Sequence, residues 1–147
     1  MQMSRPDAAV LSVVSLGGGL GSLARYGLGR AWPDAAHQLP YTTLAINLTG
    51  SLLLGMLVVA VTEIWRPHRL VRPLLGTGIL GGYTTFSTFA VQARALPVGW
   101  LLGYLALSVL GGLLAAAGGM SLMRKAEPRL TLAGTHELVD PTDPELP

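Results

Sequence analysis

A chain of 147 residues that is 50% hydrophobic and only 12% charged lies outside the range of water-soluble domains, where about a quarter of residues are charged. A net charge of +2 excludes a strongly basic nucleic-acid binder, and the absence of cysteine excludes a disulfide framework or a thiolate site. The charges also cluster. Residues 8–24, 35–62, 73–93 and 95–123 carry none, giving runs of 17, 28, 21 and 29 residues. Such runs reach or approach the length a helix needs to cross a ~30 Å hydrocarbon layer. In lipid every backbone group must be satisfied within the segment or a closed barrel, and these runs are too continuous for alternating barrel strands.

The predicted fold class is therefore an all-α membrane protein with four transmembrane helices, at about 8–30, 41–64, 71–94 and 97–123. Trp32, Trp65 and Trp100 each fall at a span end, where an indole sits half in lipid and half in water. Residues 8–24 have the length of a signal peptide, but no small-residue cleavage pattern follows them, so they read as a mature helix. Helix 1 carries Gly17 and Gly21, four apart, a spacing that lets two membrane helices approach closely. Gly78 with Gly82, and Gly99 with Gly103, repeat it in helices 3 and 4. Arg25 near the end of helix 1 has three readings: snorkelling to the interface, attracting an anion, or anchoring the fold.

Helix 2 places Thr43, Asn47 and Ser51 four apart on one face. The Asn47 amide needs partners that hydrocarbon cannot supply, so it either bonds to another helix or lines a polar space. Helix 3 holds the densest signal, Gly81-Gly82-Tyr83-Thr84-Thr85-Phe86-Ser87-Thr88-Phe89. Two glycines followed by four hydroxyls predict a break, with freed carbonyls facing a polar space. Such carbonyls can coordinate a small cation, while nearby donors hold an anion. Phe86 and Phe89 lie three apart on one face, and the positive edges of two phenyl rings can flank an anion. Helix 4 adds Tyr104 and Ser108, which with Thr43, Asn47, Ser87 and Thr88 make a candidate track of donors.

From Arg124 the composition changes, with Pro128, Pro141, Pro144 and Pro147 among five acids. Residues 124–147 are expected to be a disordered polar tail. Four spans put the N-terminus, the 65–70 loop and the C-terminus on one side, with Arg5, Arg66, Arg69, Arg72, Arg124, Lys125 and Arg129. The other side has Arg30 and Arg94. Positive-inside logic places both termini in the cytoplasm. Gly76, Gly78 and Gly81 fit a dinucleotide-binding spacing, but no strand precedes them and they lie in a span. His37, His68 and His136 are too far apart in sequence to suggest a metal cluster. No nucleophile–base pair is visible in the spans, so an enzyme is not expected.

With these motifs in place, the chain resembles the Fluc (CrcB) family of small fluoride channels. The matching stretches are Gly17-Gly18-Gly19-Leu20-Gly21-Ser22-Leu23-Ala24-Arg25-Tyr26, Thr43-Leu44-Ala45-Ile46-Asn47-Leu48-Thr49-Gly50-Ser51, and the Gly81–Phe89 run. The resemblance implies an inverted dimer in a cell membrane, with two pores lined by both subunits and helix 3 broken near its middle. It implies that Asn47, Phe86 and Phe89 face fluoride, with Ser87, Thr88, Thr43, Tyr104 and Ser108 along the route. It also implies a structural Na+ at the dimer centre, held by the backbone carbonyls of Gly81 and Thr84. Arg25 matches the family's helix-1 arginine. The family commonly has a glutamate where this chain has Gln92, and because a glutamine still donates, the channel is expected to survive the change. The seven-to-two loop charge favours one orientation, so the dimer is either a homodimer or a heterodimer with an oppositely oriented paralogue.

Two other readings compete. A small four-helix multidrug exporter needs a carboxylate within the membrane to carry protons, and helices 1 to 3 offer only Glu63 at an end. A non-transporting membrane scaffold leaves Asn47 and the hydroxyl cluster without a purpose.

Overall fold

The computed structural model describes residues 5–35, 38–65 and 67–136. Helix α1 spans Arg5–Ala31. Helix α2 spans Tyr41–Val59 and opens into a π-helical turn, Ala60–Ile64. The third membrane segment is interrupted. It runs as a π-helical stretch over Pro73–Leu80 and a short α3 over Gly81–Tyr83, then resumes as α4 over Phe86–Arg94. Helix α5 covers Val98–His136. Proline at the first position of the Pro73–Leu80 stretch removes an N–H that has no helical partner there anyway.

Asp7–Ala31, Tyr41–Ile64 and Val98–Ala126 are each long and apolar enough to cross a membrane. The all-α membrane architecture read from the sequence is the observed one, and helix 3 is broken where its composition changes. The end of the first half is Thr84 (φ −74°, ψ 159°), and Thr85 (φ −147°, ψ 122°) starts the second, both in extended conformation. Trp32, Trp65 and Trp100 are all exposed at the ends of their helices.

Two helix pairs make the bundle. Helix α1 lies against the Pro73–Tyr83 half of the broken segment, and α2 lies against α5. Glycine makes both contacts possible. A Cβ on Gly21 would strike the Ile79 carbonyl, one on Gly82 the Gly18 carbonyl, and one on Gly17 would sit 2.7 Å from the Leu74 carbonyl oxygen. Gly55 and Gly119 play the same part between α2 and α5, against Ala116 and Leu52. Gly99 and Gly103 do not: nothing lies within 4 Å of a Cβ at either, so the third glycine pair packs no helix within the chain. The spacing was right for a close contact, but that face of α5 points away from the bundle.

The tail expectation needs correction at its start. Helix α5 continues through Arg124 to His136 rather than ending at the membrane. A helix leaving the bilayer is already nucleated, so each further residue adds a bond without the nucleation cost. Lys125, Ala126, Glu127, Arg129 and Leu130 are good helix formers, and the helix runs on through Pro128 at the cost a proline imposes inside a helix, a lost N–H bond and crowding of its ring against the preceding turn. Residues 137–147 lie outside the described residues.

Candidate functional site

The break is organised by Asn47, nearly two turns inside α2. Its Nδ2 donates to the Thr85 carbonyl at 3.0 Å, and its Oδ1 accepts the Thr85 N–H at 2.9 Å. One side-chain amide thus replaces the helical neighbours of an extended residue, as a pairing strand would. Of the two readings left open by the sequence, the interhelical hydrogen bond is present, and the same side chain also lines a cavity. Nδ2 has a second hydrogen beyond the one given to Thr85.

Thr85 completes the junction. Its hydroxyl accepts the Thr88 N–H at 3.2 Å, capping α4, and donates to the Thr88 hydroxyl at 3.1 Å. The Ser87 hydroxyl lies 3.4 Å from it. These diversions free backbone carbonyls. In an unbroken helix the Gly81 carbonyl would accept from Thr85 N–H, and the Thr84 carbonyl from Thr88 N–H. The first donor goes to Asn47 and the second to the Thr85 hydroxyl. Gly81 and Thr84, the two carbonyls named from the resemblance, are therefore the ones that lose these donors, and both line the same cavity as Asn47. Backbone oxygens are suitable donors for a hard cation such as Na+.

Arg25 anchors the first half of the broken segment. Its Nε donates to the Gly82 carbonyl at 3.1 Å, with the Ser22 hydroxyl adding a longer bond at 3.4 Å. A cation at a helix C-terminus also opposes the negative end of the dipole. The anchor reading is the one the geometry supports, and Arg25 still borders a cavity.

The side chains named from the sequence divide between two cavities. One, of about 390 Å³, is bordered by Asn47, Phe86, Phe89, Ser108, Gly81 and Thr84. The other, of about 480 Å³, is bordered by Arg25, Thr43 and Thr88, with Arg30, Asp34 and Gln92. Thr85 borders both. Tyr104 lies in neither: it is fully buried, its ring 5.0 Å from that of Phe89. The Phe89 ring in turn lies 5.8 Å from Phe86, which is 79% exposed in the single chain. Ser87 is exposed as well. Among the described residues, the buried hydroxyls of Tyr104 and Ser108 have no hydrogen-bond partner, and no group of three or more His, Asp or Glu converges.

Asp34 is the residue that sequence reasoning missed. Its carboxylate accepts the Thr42 N–H at 2.8 Å, the Thr43 N–H at 3.3 Å, the Thr43 hydroxyl at 3.2 Å and Gln92 Nε2 at 3.2 Å. It caps the start of α2 from the preceding loop and ties it to the end of α4. An aspartate a few residues before a predicted helix was the available signal, although the cap is supplied from outside the usual position. Gln92 is thereby accounted for: at this distance from Asp34 an amide donates, whereas a second carboxylate would repel.

A family model described as "CrcB-like protein, Camphor Resistance (CrcB)" matches residues 12–120, which takes in most of α1, all of α2 and the broken segment, and α5 as far as Met120. The chain is 45% identical over 124 residues to the fluoride-specific ion channel FluC 2 of Nocardia farcinica, covering 82% of this chain and 89% of that one. It is 47% identical over 117 residues to the fluoride-specific ion channel FluC 1 of Streptomyces coelicolor, covering 76% and 75%. A more distant relative, the fluoride-specific ion channel FluC of Rhodospirillum centenum, is 38% identical over 128 residues, covering 80% and 97%. A match over residues 12–120, three quarters of the chain and inclusive of Asn47 and the broken helix, makes this protein a member of the CrcB family.

Proposed function

We propose that this chain is the subunit of a fluoride-selective channel that lets cytoplasmic fluoride leave down its electrochemical gradient. It is a channel and not an enzyme. The observation that carries the reading is the Asn47–Thr85 clamp. It holds a helix break beside a cavity that Phe86, Phe89 and Ser108 also border. Fluoride is small and strongly hydrated, so a route for it must replace water with donors. The second Nδ2 hydrogen of Asn47, the unpartnered hydroxyl of Ser108, and the ring edges of Phe86 and Phe89 are such donors at the cavity, and Tyr104, whose hydroxyl is also unpartnered, stands behind Phe89. Ser87, Thr88 and Thr43 extend the polar route on either side of Thr85. Arg25 and Arg30 make the second cavity attractive to anions, moderated by Asp34.

The functional unit in this reading is an inverted dimer with two pores. The open side of the Asn47 cavity and the exposed Phe86 support it, because a second subunit would close the one and cover the other. A Na+ held by the Gly81 and Thr84 carbonyls would bridge the two breaks and add positive potential. The setting is the cell membrane, with the basic side in the cytoplasm. The partner is a second copy or an oppositely oriented paralogue.

The test is fluoride efflux from liposomes containing this gene product alone. Efflux is expected, and Asn47→Ala, which removes both the clamp on Thr85 and the remaining Nδ2 hydrogen, should lower it at least about tenfold, the equivalent of one hydrogen bond to a charged species or more. Phe86→Ala should also reduce it, with dimer assembly retained. No efflux from the single gene product would favour the paralogue, and normal conduction by both variants would show that the route lies elsewhere.

A further inference from the structure

Beyond the π-helical turn at the end of α2 lies a separate polar cavity of about 460 Å³, bordered by Trp65, Pro67, His68, Arg69 and Arg72. It lies at the opposite end of α2 from Asp34. The Arg124–Glu63 ion pair, at 2.8 Å, brings the basic start of the α5 extension to the same end. Arg72 Nη2 donates to the Val61 carbonyl, which fixes the guanidinium over the π-helical turn. Its other N–H groups remain for a ligand. Arg69 is exposed and makes no hydrogen bond or ion pair among the described residues. Glu63, the acid nearest in sequence, is engaged by three contacts from Arg124 at 2.8–3.2 Å, so it does not neutralise the cavity. Trp65, half exposed at the span end, puts this positive pocket at the depth of lipid headgroups.

We propose that this cavity binds the phosphodiester of an anionic phospholipid headgroup, with Arg69 and Arg72 as its ligands. Two guanidiniums can fork onto phosphate oxygens. The Trp65 indole and Pro67 supply an apolar wall for the glycerol and the first acyl carbons. The lipid, rather than a free anion, is the occupant because the pocket opens where headgroups already lie at high local concentration. The juxtamembrane cationic surface adds long-range attraction to anionic bilayers. The proposal does not depend on what the channel conducts.

The experiment follows the thermal unfolding of the purified full chain in detergent, with phosphatidylglycerol, phosphatidylcholine or inorganic phosphate added at equal concentration. Phosphatidylglycerol should raise the midpoint by several degrees, and the other two should have little effect. Arg69→Gln should leave the lipid-free midpoint unchanged and weaken the apparent phosphatidylglycerol affinity about fivefold, the equivalent of one cationic contact at a membrane surface. Arg69→Lys should restore most of it. Equal shifts with phosphatidylcholine would overturn the charge recognition, and an equal shift with phosphate alone would make this a free-anion site. Wild-type lipid response in Arg69→Gln would remove the assigned ligand.

Discussion

Thr85 is held from two directions, by the Asn47 amide on its backbone and by its own hydroxyl on α4. The two grips are separable. Thr85→Val keeps the shape and the Asn47 bonds but deletes the cap, and losing such a cap costs about 1 kcal/mol. A fall of a few degrees in the unfolding midpoint is expected, and Thr85→Ser should recover it. An unchanged midpoint for the valine variant would mean that the cap contributes nothing to the break. At this scale the sequence disclosed residue types better than partners. Asn47 was legible as a polar group needing satisfaction, yet nothing along the chain says that both of its bonds go to the backbone of one residue 38 positions away. Asp34 was less visible still, because its partner Gln92 is 58 residues off and only the folded bundle brings the ends of α2 and α4 together.

Among the elements, glycine sets which helices touch. Gly21→Ala would drive a methyl against the Ile79 carbonyl and within 2.7 Å of the Tyr83 amide nitrogen. Backbone atoms cannot swing aside, so the cost should be about 1–3 kcal/mol, as for overpacking. Gly99→Ala meets open space within the chain, and removing a helical glycine there should leave stability equal or slightly better. Thermal unfolding of the two variants checks both, and a loss in Gly99→Ala would show that this face of α5 is covered by a second subunit. The positions of the long helices were readable because lipid imposes length and freedom from charge. The break was readable because adjacent glycines and hydroxyls suit neither a straight helix nor a lipid contact. Helical glycine spacing says only that a close approach is permitted, so it could not tell the buried pairs from Gly99 and Gly103. The onset of the tail was misjudged for a related reason. Prolines mark where helix is disfavoured on average, and they do not count the support of a long helix already formed upstream.

In the assembled channel, the freed carbonyls of Gly81 and Thr84 are where one subunit would meet the other. Four such oxygens, two from each break, would face one another without N–H donors, an arrangement that repels unless a cation intervenes. The proposed Na+ would therefore act on assembly before it acts on conduction. A ligand bound only by the folded dimer stabilises it by about 2.7 kcal/mol at a hundred times its dissociation constant. Replacing Na+ with N-methyl-D-glucamine throughout purification should thus lower the unfolding midpoint and shift the protein toward monomer, with both effects reversed on adding Na+. The basic-side charge that favours a single orientation has no bearing on this result, since the broken helices would meet in a homodimer and in a paralogue pair alike. A Na+-free protein with the same midpoint and the same oligomeric state would show that the two breaks are reconciled without a metal. In that case the carbonyls must find donors across the interface instead.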